Sequence, residues 1–382
     1  MKKHSVLLTV ALCLLSAALT FALCVGLFAY RFGGKEGLRE VLSLRDAMQL
    51  IEDRFVEPVE GEKLTDGALR GMVNALEDPW SYYMSAEEYA EYMDYAANQY
   101  SGVGITVRAE EDGSGLRIVD VAMDSPADRA GVLAGMLLTA VDDEPMQGKT
   151  ADQAREAILA GGEDGVKLTL LDENEEVFSC TLVPEVLQKQ AVFAEMLEGD
   201  IGYIKITNFE ADTAENALKA LETLRGEGSV GIIFDVRGNP GGKLSELTAL
   251  LDALLPEGEI FISSDREGNE SIIYSDEACI RMPMAVLVDE NSYSAAEYFA
   301  AAMSEYGWAE TFGAQTTGKA RGQMTFSLSD GGALHFSTMK YLTPERVDLS
   351  AQGGFAPEHV IERNGEDDLQ LEAALAFLIE GN

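Results

Sequence analysis

Two apolar runs, "VGIIFDV" (230–236) and "MAVLV" (284–288), constrain the fold of this chain more than any other feature. Neither alternates polar with apolar residues, so each reads as a strand covered on both faces, as in parallel sheets. Around them lie segments with apolar residues at helical spacing, "TAENALKALETLRGEG" and "KLSELTALLDALLP". With "IGYIKITNF" as a further strand, the order from about residue 190 onward is strand, helix, strand. That is the pattern of a layered α/β domain.

Upstream the pattern changes twice. "LRDAMQLIEDRF" and "LTDGALRGMVNAL" read as helices, and "EDPWSYYMSAEEYAEYM" continues them after a turn at Asp78-Pro79. Downstream of about residue 100, "SGVGITVRAE", "GLRIVDVAM", "GMLLTAVDD" and "VKLTLLDE" read as strands. Among them "ADQAREAILA" reads as a helix opened by a Thr150/Gln153 capping box and closed by Gly161. Ahead of everything, an uncharged run from Ser5 to Tyr30 follows Lys2-Lys3-His4. It exceeds the ~20 apolar residues that span a bilayer and the ~7–15-residue core of a cleavable signal. It reads as an uncleaved signal anchor, with a short cytoplasmic N-terminus and an exported body. Arg31, Lys35 and Arg39 beyond it blur the charge asymmetry that sets orientation. The expected division is 1–40 for stub, anchor and linker, 41–92 for a helical region, 93–186 for a β-rich domain and 187–382 for the α/β core.

A net charge of −38 over 382 residues argues against a nucleic-acid partner. Two cysteines, Cys13 and Cys24, lie in the anchor; the other two, Cys180 and Cys279, are far apart in sequence and show no disulfide framework, and the sequence leaves open whether they pair. The three histidines, His4, His335 and His359, make no cluster with cysteine, so no metal signature is present.

The chemistry centres on "DENSYSAAEYFAAAMSEYG" (289–307), where a serine stands between a strand and a helix. Ser294-Ala295-Ala296-Glu297 fits a capping box, and Ser294 reads first as a helix cap. The same elbow would also present a nucleophile, with helix-start amides to receive an oxyanion. Lys319 lies in "GAQTTGK" (313–319), which nearly matches a phosphate-binding loop. The match fails at Ala320, where a hydroxyl must hold magnesium. Alternatively Lys319 is the base of a Ser-Lys pair, a known variant of the serine triad. Its ordinary pKa of about 10.4 would then need lowering by burial. Asn239-Pro240-Gly241-Gly242 follows a buried strand, and its glycines admit a backbone N–H close to a ligand; as a plain turn it is equally ordinary.

Together these pieces resemble the C-terminal processing peptidases, or tail-specific proteases, which are membrane-anchored serine proteases containing a PDZ domain. The resemblance covers nearly all of residues 41–360 and rests on "DPWSYYMSAEEY", "SGVGITV", "GYIKITNF", "DVRGNPGG", "NSYSAAE" and "GKARGQ". It implies an α/β core of the ClpP/crotonase type, an inserted PDZ domain and a helical N-terminal region after a transmembrane anchor. It implies Ser294 as nucleophile, Lys319 as general base 25 residues on, and Gln323 four residues later as the lysine's orienter. The oxyanion donors would be the amides of Ala295 and Gly242, with Gly241 as a substitute. Gly102, Val103, Gly104 and Ile105 resemble the loop that receives a C-terminal carboxylate, with the tail adding as a strand beside it and "ADQAREAILA" as the other groove wall. The resemblance further implies no cofactor, protein substrates with free C-terminal tails, and dimerisation through the helical N-terminal region. Two departures stand out: Tyr293 replaces a small residue before the nucleophile, and Thr317-Gly318 replaces an aromatic-glycine pair before the lysine. Two rival readings are a catalytically silent tail-binding sensor and a crotonase-like acyl-thioester enzyme.

Overall fold

The two apolar runs lie at the centre of a six-stranded sheet. In the computed structural model, residues 2–363 and 367–381 are described, with the backbone alone for 2–10, 28 and 29. Strands Val192–Leu197, Ile201–Ile206, Gly231–Asp235, Met284–Val288, Glu310–Gly313 and His359–Val360 lie side by side in chain order. The first pair is antiparallel and every later pair parallel. All residues of Gly231–Asp235 and Met284–Val288 are buried, and successive side chains serve opposite faces. Ile232, Phe234, Val286 and Val288 share a core with helices Thr213–Gly226, Leu244–Leu254 and Ala295–Glu305. Ile233, Ala285 and Leu287 meet Ala374 and Leu378 of helix Leu369–Glu380. Burying each large apolar side chain contributes roughly 1.5–3 kcal/mol, so helices on both faces are what make the uniformly apolar strands viable.

A second, antiparallel sheet joins Arg321–Ser327, Ala333–Leu342, Gly258–Ser264 and Glu270–Ser275 in that order. Nothing in the residue pattern announced these strands. The β-rich region is a separate antiparallel sheet of Ile105–Ala109, Leu116–Val121, Leu137–Val141, Val166–Leu171 and Val177–Leu182. It encloses its own core, to which Ala154 and Ile158 of helix Ala151–Ala160 contribute. That helix opens with the reciprocal Thr150–Gln153 box read from the sequence. Strands Gln99–Gly102 and Glu185–Gln188 pair at the two ends of this region.

The chain divides into compact units Met1–Tyr83 and Met84–Asn382. The first holds helices Lys2–Arg31, Gly34–Arg54 and Gly61–Asn74. Helix Gly34–Arg54 has no buried residue and exposes Val41, Leu42, Leu44, Leu50 and Ile51. The Ser5–Tyr30 run falls within Lys2–Arg31, and its side chains up to residue 10 lie outside the described residues, as do those of Lys2, Lys3 and His4. Among the described residues no helix is long and apolar enough to cross a membrane. Cys180 and Cys279 are both free thiols.

Candidate active site

Ser294 stands where strand Met284–Val288 gives way to helix Ala295–Glu305, with φ 58° and ψ −121°. A side-chain-bearing residue held there costs on the order of 1–3 kcal/mol and persists only where its surroundings enforce it. The enforcement is visible on both sides. Upstream, the buried Asp289 carboxylate accepts from the Gly238 and Asn291 N–H groups at 2.8 and 3.0 Å. The Tyr293 N–H donates to the Asn239 carbonyl at 3.1 Å. Downstream, the Ser294 N–H donates to Glu297 at 2.8 Å, which is the carboxylate half of a capping box. The hydroxyl half of the box is present in outline, with the Glu297 N–H facing Ser294 Oγ but short of a formed hydrogen bond.

Glu297 does more than close that box. It is fully buried, and its carboxylate also accepts from the Thr316 hydroxyl at 2.7 Å, the Gly318 N–H at 2.9 Å and the Lys319 N–H at 2.7 Å. Burial raises its pKa, and the surrounding donors pull it back. One carboxylate therefore ties the serine elbow to the backbone of the lysine loop. Two further bonds support the junction, from Thr317 N–H to Ser292 O at 3.2 Å and from the Thr317 hydroxyl to Glu290 O at 2.8 Å. The capping-box pattern was legible in the sequence; that the same glutamate reaches 22 residues ahead was not, because no local pattern encodes it.

The Asn239–Gly242 turn closes over the elbow. The Asn239 side chain is fully buried, donating to Ile206 O and accepting from the Gly241 N–H, both at 2.8 Å. The Gly241 N–H is therefore occupied. The N–H groups of Gly242 and Ala295 have no acceptor among the described residues. This favours Gly242 over Gly241 as a donor. The glycines are required by contact as well as by their positive φ. A Cβ on Gly241 would meet Ser294 Cβ at 2.8 Å and Ala295 N at 2.9 Å, and one on Gly242 would lie 2.3 Å from the Phe209 backbone. Phe209 pins the turn in place, its N–H donating to Gly241 O and its carbonyl accepting from Lys243 N–H, both at 2.7 Å.

Lys319 lies on an irregular stretch that leads into strand Arg321–Ser327, so no helix follows it as a phosphate-binding loop requires. Its ammonium nitrogen is 5.9 Å from the Tyr293 ring centroid. Tyr293, a departure from the pattern of resembling proteins, is thus a neighbour of the lysine. His335 lies close enough that burial first, and Lys319 second, depress its pKa to about 4. The imidazole is neutral across the physiological range, with Nδ1 2.9 Å from the Thr325 hydroxyl. Gln323 Nε2 donates to Ser337 Oγ and Arg321 O at 2.9 Å each, so the hydrogen bonds described for this side chain run within the hairpin rather than to the lysine. Tyr341, which the sequence did not single out, donates its phenol proton to the Lys319 carbonyl.

Next to Phe209, which pins the Asn239–Gly242 turn, Glu210 is 7% exposed and burial lifts its pKa to about 7, with Lys243 opposing the shift and Glu246 adding to it. From the ordinary value of 4.5 up to about 7, the folded protein holds a proton that the unfolded chain releases. Stability therefore falls as pH rises through that window, and the penalty is fully present above it. Glu210→Gln removes the penalty. The variant is expected to gain about 1–2 kcal/mol over the parent at pH 8 and almost nothing at pH 4. Thermal melts at both pH values check this, and an equal difference at the two would show that Glu210 does not titrate as described.

In the β-rich region, Val103 is buried and Gly104 has φ 84°. Their carbonyls accept from Ala127 and Ala122 N–H at 2.9 and 2.8 Å, while their own N–H groups have no acceptor among the described residues. Gly102 ends one strand and Ile105 begins the next. That next strand, Ile105–Ala109, is an edge of its sheet. Among the described residues, ligand atoms of Glu310, Glu358 and His359 come within 4.8 Å of one another. The Glu358 carboxylate is already engaged by Ser304 and Thr311, which gives it a structural role.

Residues 200–361 match the model of peptidase family S41, and residues 33–88 match the N-terminal domain of the activating protease CtpB. The chain is 29% identical over 312 residues to the carboxy-terminal processing protease CtpA of Bacillus subtilis, covering 81% of this chain and 66% of that one. It is 28% identical over 347 residues to the carboxyl-terminal-processing protease of Synechocystis sp., covering 87% and 81% respectively. Its fold is similar to that of the photosystem II D1 C-terminal processing protease, with a TM-score of 0.51 at 21% identity, over 88% of this chain and 96% of that one.

Proposed function

This chain belongs to peptidase family S41 and is a serine peptidase, and from that premise we propose that Ser294 is its nucleophile, Lys319 its general base and protein C-terminal tails its substrates. The observation that carries the dyad is the Glu297 carboxylate, which fixes the serine elbow and the lysine loop to each other. Neutral Lys319 takes the Ser294 proton as Oγ attacks the peptide carbonyl carbon. The amides of Ala295 and Gly242, which have no acceptor among the described residues, hold the oxyanion. The C–N bond breaks, and the leaving amine departs with the proton held by Lys319. Water then attacks the acyl-enzyme, giving up a proton through the same lysine, and the ester C–O bond breaks to regenerate the serine. Gln323 serves the dyad indirectly, by holding the hairpin that follows the lysine. The core is of the crotonase type, one sheet covered by helices on both faces. A silent sensor would have no use for a strained serine beside two N–H groups without acceptors among the described residues.

The β-rich region is the PDZ domain that captures the tail. The Val103 and Gly104 amides receive the terminal carboxylate, and the tail extends along the Ile105–Ala109 edge opposite helix Ala151–Ala160. Amidating the tail of a peptide substrate is expected to weaken its binding to the full chain about tenfold or more, measured by fluorescence anisotropy. Equal binding of free and amidated tails would remove the carboxylate from the recognition. The Lys2–Arg31 helix anchors the protein, with its exposed Leu12, Leu14, Leu15, Leu19 and Phe21 in lipid. The domains from residue 41 onward then lie outside the cytoplasm, and the apolar residues of Gly34–Arg54 meet a second copy. Protease added to intact cells is expected to digest the body. Digestion only after lysis would place the body inside.

A further inference from the structure

Tyr293 and Lys319 are brought together by one clamp. The Tyr293 N–H donates to Asn239 O at 3.1 Å, and the next N–H along the chain, that of Ser294, goes to Glu297 at 2.8 Å. Lys319 is held on both sides of its Cα, its own N–H on Glu297 at 2.7 Å and its carbonyl under the Tyr341 phenol. With both backbones fixed, the approach of the two side chains is set by the fold. The Lys319 ammonium nitrogen stands over the Tyr293 ring, 5.9 Å from its centroid, within the ~6 Å at which an aromatic face attracts a cation. Both residues are partly buried, which strengthens that attraction over its value in open water.

We propose that Tyr293 is a positioning residue for the base: its ring face holds Lys319 beside Ser294 and receives the ammonium that forms as the lysine takes the serine proton. The inference rests on the reading of Ser294 as nucleophile and Lys319 as base. As the Oγ–C bond forms, the proton passes from Ser294 Oγ to Lys319 Nζ, and positive charge develops where the electron-rich face of the ring stands. Other titratable groups around Lys319 are Glu297 of helix Ala295–Glu305, and Tyr341 and His335 of strand Ala333–Leu342. Each of them acts on the lysine with or without a ring at position 293. Burial keeps the Tyr293 phenol above its ordinary 10.0, so the ring brings no charge of its own.

The role has a signature in pH. The ring stabilises the full charge of the resting ammonium and the partial charge in the transition state. Its loss should free the base at lower pH and weaken the transition state, so the two pH–rate curves should cross. The test is kcat/KM for a peptide substrate from about pH 6 to about pH 10, a quantity that reports titration of the free enzyme, measured on the full chain. For Tyr293→Leu, which keeps the site apolar, the midpoint is expected to fall by about half a pH unit. The rate should then be about twofold above the parent on the acidic limb and about twofold below it on the plateau. Tyr293→Phe retains the ring face and should restore the parental midpoint. An unshifted midpoint in Tyr293→Leu, one uniform loss at every pH, or a Phe variant that behaves like the Leu variant would overturn the proposal; a uniform loss is what a misplaced elbow produces. If Tyr293→Leu does not fold, fluorinated phenylalanines at 293 keep the shape and weaken the face, and the midpoint should step down with each added fluorine. Lys319→Ala separates the two readings. A rise with pH that persists there removes the dyad and this proposal with it, whereas a rise lost there but unshifted in Tyr293→Leu removes only Tyr293.

Discussion

Ser294→Ala and Lys319→Ala are each expected to lower single-turnover cleavage of a peptide by on the order of 10⁴-fold or more, and the double variant to lose little beyond either alone. The non-additivity follows from both groups acting in one step: without the base the hydroxyl is a poor nucleophile, and without the nucleophile the base has no proton to take. Lys319→Arg should fail as well, because guanidinium stays charged and accepts no proton. In the parent, the rate should rise with pH as the amine loses its proton, and His335, already neutral above about pH 4, should add no second rise in the neutral range. The measurement is rapid-quench cleavage by the purified full chain against pH, with circular dichroism on each variant. A folded Lys319→Ala that cleaves near the parental rate would falsify the base assignment.

Glu297→Gln is expected to be the most damaging substitution outside the dyad. The carboxylate accepts from four donors, two on each oxygen. A carboxamide keeps one acceptor oxygen and turns an NH₂ towards the other pair, so either Ser294 and Lys319 or Thr316 and Gly318 face a donor. Each buried donor left unpaired costs about 1–3 kcal/mol. The loss should appear both in stability, as a melting temperature lowered by several degrees, and in kcat, by about 10²-fold, because the elbow and the lysine loop lose their common anchor. KM should change little, since Glu297 is buried and no substrate reaches it. A variant with parental kcat and a lowered melting temperature would reduce Glu297 to a structural cap.

Much of the core was legible because its signals are local. "MAVLV" and "GIIFD" are apolar without alternation, and only a sheet covered on both sides satisfies such strands. Thr150 and Gln153 sit at capping spacing, and they cap. The serine at a strand-to-helix junction could be read as a cap or a nucleophile, and no count of residues chooses between them. The second sheet is not legible in the sequence because its strands alternate weakly. Arg321–Ser327 and Ala333–Leu342 carry mixed polar and apolar residues that only their pairing makes regular.

What the sequence determined by itself is the inventory: buried parallel strands, amphipathic helices, an elbow serine, a lysine after a glycine and a turn of Asn-Pro-Gly-Gly. These follow from side-chain periodicity, from capping and from the freedom of glycine, all of which act over a few residues. What the tertiary structure decided is the use of each group. The backbone at Ser294 is pushed to φ 58°. Asn239 takes the Gly241 amide and leaves that of Gly242 free. Glu297 and Tyr341, separated by 44 residues, come together at the Lys319 backbone. Hydrogen bonds to buried groups are fixed by whichever donors and acceptors the packed chain brings within about 3 Å, and that assignment exists only once the sheets and helices have closed around them.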